Sequence, residues 1–207
     1  MKPSGMDARH RKPESLHTMT DAMDFEKLNA RDPKIKFGFT KELLEAGRKE
    51  PGKLHSYLPS FFQMAEHSNA IIRWTGVRLI GFLSAKMTEV QVDAILPVLL
   101  KLLHGGRLTD SNHSIFALGQ LALFHPRLRE SVFKELLLLE KDHFPTEECT
   151  RIAVGKVIEA LLPLADEVKG QPDVVDFVQR ALSSTRKSTA AKAAVLWKRL
   201  QAASKTS

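Results

Sequence analysis

From Ile35 onward the apolar residues of this chain fall at helical spacing, with Phe39, Leu43, Leu44 and Ala46 on one side of the segment and Lys41, Glu42, Glu45 and Lys49 on the other. Gly52 after Pro51 ends that stretch, and Leu54 to His67 carries the next, built on LPSFFQM. Asn69 caps a predicted helix over 71–85. Thr88 with Gln91 forms a capping box for a helix that runs to about His104 and stops at Gly105-Gly106. The central helix is SNHSIFALGQLALF, Ser111 to Phe124. Pro126 opens a helix carrying VFKELLLLE, and Thr146, followed by Glu147 and Glu148 in the first turn, caps a helix through Ala165. After Gly170 and Pro172 a last pair covers 173–182 and 187–203, the second rich in alanine and anchored by Leu196, Trp197 and Leu200. The Val and Ile positions fall at helical spacing, so no strand is predicted.

Ala117-Leu118-Gly119-Gln120-Leu121 has near copies at Leu79-Ile80-Gly81-Phe82-Leu83 and Ala153-Val154-Gly155-Lys156-Val157. The glycines step by 38 and then 36 residues, and Pro59 to Pro97 repeats the step of 38 in a second register. A period of this size with helical texture inside it marks an α-helical repeat array. A helix-interior glycine costs about 1 kcal/mol against alanine, which makes sense where a neighbouring helix approaches closely. Each helix pair has an apolar face that it cannot bury alone, so stacking on neighbours makes the core.

A proline-bearing first helix followed by a second helix entered through Ile72-Arg73 resembles the HEAT repeat, whose pattern runs LPxLLxLL, a short turn, then VRxxAxxALGxL. YLPSFFQMAEHSNAIIRWTGVRLIGFL follows it throughout, and ILPVLLKLLHGGRLTDSNHSIFALGQL follows it with Ser111 in place of the arginine. The third unit keeps AVGKV but has Phe133 at the proline position and Glu147 at the arginine position, and Ile35-Lys36 looks like the entrance of a lone second helix. The resemblance spans residues 35–203 and implies an all-α, right-handed α-α superhelix of about nine helices, a half repeat plus four pairs. The pattern also looks like small single-domain HEAT proteins of bacteria and archaea whose role is generally unassigned.

Composition adjusts this picture in two places. Residues 1–30 are polar, hold Pro3, Gly5 and Pro13, and show no sustained apolar period, so ordering them costs more entropy than burial returns. They are expected to be a disordered leader, with the repeat domain at 31–203 and a short tail at 204–207. The net charge of +7 is also uneven: residues 1–36 carry 8 basic and 6 acidic side chains, 37–183 carry 17 and 18, and 184–207 carry 6 and none. The body of the array is neutral, which is not the pattern of a phosphate-tracking groove along its length. Cys149 is the lone cysteine, the N-terminus lacks a signal-peptide core, and no run reaches the ~20 apolar residues of a spanning helix. A cytoplasmic monomer without membrane attachment is the expectation.

Candidate chemistry is thin. None of the eight histidines is followed by glutamate, and no HxxxH, HExxH, phosphate loop or nucleophile elbow occurs, so no metal or cofactor is predicted. His55, His67, His104, His125 and His143 fall at helix ends, where solvated or capping roles are expected; His113 alone sits where it could meet a ligand. Cys149, in a first turn, is expected to be a small interface residue. HEAT second helices line the concave surface, which implies in-phase rows of Thr75, His113 and Cys149, of Arg78, Phe116 and Ile152, and of Phe82, Gln120 and Lys156. With Arg73 at the helix entrance, the candidate partner-binding residues are Arg73, Arg78, Phe82, His113, Phe116, Gln120 and Lys156. Mixed apolar, amide and cationic groups suit a protein or peptide surface, so a non-enzymatic adaptor is the leading expectation. The alternative is a nucleic-acid-associated protein, through Lys192, Lys198 and Arg199 on the basic last helix or as a relative of the HEAT-like alkylpurine DNA glycosylases. Those enzymes group aromatic residues around a carboxylate in a positive groove, and here neither Trp74 nor Trp197 has an acid within a helical turn.

Overall fold

A computed structural model describes residues 24–202, and all regular structure among them is helical. Its α-helical segments are α1 Pro33–Lys49, α2 Pro51–Leu54, α3 Leu58–Ala65, α4 Ala70–Leu83, α5 Glu89–Leu103, α6 Leu108–Phe124, α7 Arg129–Leu138, α8 Glu147–Leu161, α9 Ala165–Val168, α10 Pro172–Leu182 and α11 Lys187–Ala202. Short 3-10 turns run α2 into α3 and α8 into α9, so these segments make nine rods. They form a half repeat, α1, and four pairs: α2–α3 with α4, α5 with α6, α7 with α8–α9, and α10 with α11. The protein is an all-α solenoid. None of its described helices is long and apolar enough to cross a membrane.

The caps form where the side chains place them. Asn69 Oδ1 accepts from the Ile71 amide at 3.0 Å, Thr88 and Gln91 exchange both bonds of a capping box, and Thr146 Oγ1 accepts from the Cys149 amide at 3.2 Å. The central helix starts at Leu108, a turn before Ser111. Arg107 supplies no side-chain cap there, and Asp110, a cap by type, has its carboxylate drawn to the preceding repeat.

Second helices touch in series, α1 on α4, α4 on α6, α6 on α8 and α8 on α11, while contact between successive first helices is sparse. The second helices form the more closely packed layer. Glycine makes this closeness possible: a Cβ at Gly47 would stand 2.7 Å from Leu79 Cδ2, at Gly81 2.5 Å from Phe116 Cε1, at Gly119 2.9 Å from Ala160 Cβ, and at Gly155 2.6 Å from Thr189 Oγ1. In each case the obstructing atom belongs to the next second helix.

A polar ladder keeps the same period. Arg73 pairs with Asp110, His104 with Asp142 at 2.8 Å, Arg129 with Glu167 at 2.6 Å, and Arg186 with Glu148, each pair 37 or 38 residues apart. His125 lies between Glu89 and the Ser84 carbonyl at 3.0 and 2.9 Å and is 7% exposed. His104 and His125 therefore tie neighbouring repeats together instead of sitting solvated at helix ends; only the repeat offset reveals their partners. His67 does fill a helix-entry role, its Nδ1 accepting from the Asn69 amide.

The expected leader divides at Asp24. Residues 1–23 and 203–207 lie outside the described residues, but Phe25–Asn29 forms a 3-10 turn with Leu28 buried. Phe25 meets Phe39, Tyr57 and Phe61 edge-on, at centroid distances of 5.6–6.4 Å. Packing thus begins several residues before the expected start of the domain at residue 31, because two apolar side chains suffice to pin a short polar turn.

Candidate functional site

Helical steps of three or four residues put Trp74, Arg78 and Phe82 on one face of α4, His113, Phe116 and Gln120 on one face of α6, and Ile152, Lys156 and Glu159 on one face of α8. Because the three helices stack directly, these faces meet. The Arg78 guanidinium carbon lies 4.1 Å from the centre of the Phe116 ring and 5.3 Å from that of Phe82, and the two rings meet edge-to-face at 5.3 Å. Beside them a groove of about 190 Å³ is lined by Arg78, Asn112, Phe116, Gln120, Lys156 and Glu159, with Ile115, Gly119, Ala160 and Pro163 completing its walls. Four of the predicted partner-binding residues, Arg78, Phe116, Gln120 and Lys156, thus share one groove, and Phe82 packs against two of them, Arg78 and Phe116.

His113 stands at the edge of this set, its ring stacked on Trp74 at 5.6 Å and 19°. Burial pushes its pKa down to about 4, and the charge of Arg78 adds to the shift. At neutral pH it is an uncharged stacking partner. Arg78 is also held below the usual guanidinium range by burial, with Glu159 opposing the shift. For Glu159 itself burial acts upward, yet hydrogen bonds from Lys192 at 2.7 Å and Lys156 at 3.0 Å outweigh it and leave the pKa lowered.

Arg73 does not belong to this face. It is 6% exposed, its Nε and Nη2 donate to the two oxygens of Asp110 at 3.1 Å, and its Nη1 donates to the carbonyls of His67 and Ser68. With four of its five N–H groups used in this way, the guanidinium holds two repeats together. Thr75 is likewise buried, donating to the Ile71 carbonyl, whereas Cys149 is half-buried. Trp74 does have a carboxylate, since its Nε1 donates to Asp110 Oδ1 at 2.6 Å. Asp110 is 6% exposed and accepts three hydrogen bonds, two from Arg73 and one from Trp74. Among the described residues no group of three or more His, Cys, Asp or Glu side chains is placed to hold a metal ion.

No family model and no curated protein matches the chain. Several solved structures do. The designed armadillo repeat protein YIII(Dq)4CqI is 14% identical with a TM-score of 0.41, covering 84% of this chain and 97% of its own. An engineered protein of the Northeast Structural Genomics Consortium is 12% identical with a TM-score of 0.49, covering 85% of this chain and 46% of its own. A second designed armadillo protein, YIII(Dq.V1)4CPAF in complex with the peptide (KR)4, is 14% identical with a TM-score of 0.42, covering 84% and 97%. The likeness is to designed helical-repeat proteins, and nothing about ligand or activity follows from it.

The basic C-terminal helix is less free than its sequence implies. Lys192 reaches Glu159 of the preceding repeat, Arg199 Nη1 donates to the Leu162 carbonyl at 3.1 Å, and Arg186 pairs with Glu148. Only Lys198 of the three predicted contact residues is exposed with no described partner. Glu159 and Asn112 are groove residues that sequence reasoning missed. Their signal was adjacency: Glu159 lies three residues after Lys156, and Asn112 directly precedes His113.

Proposed function

We propose that this solenoid is a HEAT-like scaffold, without catalytic activity of its own, that binds another protein or peptide along the face formed by α4, α6 and α8. One observation carries the reading. Arg78, a side chain with five N–H donors, is laid over Phe116 and Phe82 at the mouth of a groove, and no described carboxylate or carbonyl accepts from it. Arginine on an aromatic platform is the composition of an interface centre. The nucleic-acid reading has less to draw on, because two of the three C-terminal cations expected to carry it are engaged in repeat-to-repeat contacts.

A photoreactive amino acid at Gln120, in the groove, and another at Lys134, exposed on the outer helix α7, test the proposal in extracts of the source cell. Capture of the same protein at position 120 but not at position 134 is the expected result. Equal capture at both positions, or capture at Lys134 alone, contradicts it.

A further inference from the structure

We propose that the groove between α4, α6 and α8 takes an acidic segment of its partner, with a carboxylate side chain seated on the guanidinium fork of Arg78. This rests on the reading that the face of α4, α6 and α8 binds another protein, and adds to it the chemistry of the ligand.

The Arg78 guanidinium carbon lies 4.1 Å from the Phe116 ring centre and no described acceptor takes its N–H groups, so its fork is free to bind a planar carboxylate through two parallel hydrogen bonds. The surrounding charge favours such a guest. Arg78, Lys156 and Lys192 gather around a single acid, Glu159, and both lysines already share that one carboxylate, so two positive charges go unmatched. The Phe116 and Phe82 rings offer the carboxylate's own methylenes, or an apolar neighbour in the segment, a surface to lie on.

One feature favours a protein segment over a nucleic acid as the source of the anion. The positive charge is local: residues 37–183 carry 17 basic and 18 acidic side chains, so a row of phosphates finds no continuous track beyond the groove.

The test uses the full chain and a phage-displayed library of random dodecapeptides, selected in parallel on the wild type and on Arg78→Gln. The proposal expects wild-type pools enriched in Asp and Glu. It expects a selected peptide to lose about tenfold or more in affinity for Arg78→Gln, and Arg78→Lys to recover little because it restores charge without the fork. Lys156→Gln weakens the same peptide and provides the readout should Arg78→Gln fail to fold. Wild-type pools without acidic enrichment, or an acidic peptide bound equally by Arg78→Gln and Lys156→Gln, overturn the proposal. Pools of basic or apolar peptides blocked by Gln120→Trp overturn the acidic assignment while the reading of the α4, α6 and α8 face as a protein-binding surface stands. No pool above that on bare support overturns both. Single-stranded DNA that binds more tightly than the selected peptides overturns the proposal in favour of a nucleic acid.

Discussion

Asp110 separates a structural account of the Trp74 neighbourhood from a catalytic one. Its carboxylate accepts from Arg73 at 3.1 Å on both oxygens and from Trp74 at 2.6 Å, and both members of the ion pair are more than nine-tenths buried. Asp110→Ala leaves the Arg73 charge buried with only the His67 and Ser68 carbonyls to receive it. Breaking such a pair from one side costs about 3–5 kcal/mol. At about 2–4 °C per kcal/mol for a chain of this size, the Tm should fall by roughly 6–20 °C. Asp110→Asn, which keeps the shape and removes the charge, should fall in the same direction by less. The double variant Arg73→Met with Asp110→Leu removes both charges and should recover much of the loss. Thermal unfolding followed by circular dichroism reads all three. If Asp110→Ala melts within about 2 °C of the wild type, an effect below about 1 kcal/mol, the pair contributes nothing and Asp110 is free to serve another purpose.

Three further outcomes follow from the packing and the charges. Gly119→Leu forces a side chain into Ala160 across the α6–α8 contact and should cost about 1–3 kcal/mol in urea unfolding; an unchanged midpoint means that the glycine does not face α8. His113, at about 4 in the fold against 6.5 in the open chain, binds its proton only after unfolding in that window. Its stability contribution is therefore complete above about pH 6.5, falls as the pH drops toward 4 and levels off below; His113→Phe should shed that part of the acid sensitivity, and equal pH profiles would refute it. Lys192→Glu sets two acids together at Glu159 and should cost up to about 1 kcal/mol, with Glu159→Lys in the same chain restoring it; no recovery would show that the pair is not formed in solution.

Much of the architecture was legible because a repeat array writes its contacts into the sequence at a fixed offset. Gly81, Gly119 and Gly155 recur at the repeat period because each must admit the next second helix, and Asn69, Thr88 and Thr146 cap helices through bonds local to their own turns. Contacts between repeats were harder to read. Arg73 looked like an entrance residue for a partner, since nothing near it in sequence marks Asp110, 37 residues on, as its mate. The same blindness hid the acids that hold His104, His125 and Lys192, and made the C-terminal helix look more available than it is. The groove was half legible. Phase along the helices selected Arg78, Phe116, Gln120 and Lys156, but the positions of Asn112 and Glu159 depend on how α6 and α8 lie against one another.

The measurement closest to the central claim is the amide chemical-shift map of the ¹⁵N-labelled protein titrated with a selected peptide. The account predicts that the largest changes gather on α4, α6 and α8 around Arg78, Phe116, Gln120 and Lys156. Changes concentrated instead on the outer helices, around Asp93 of α5 or Lys134 of α7, would contradict it.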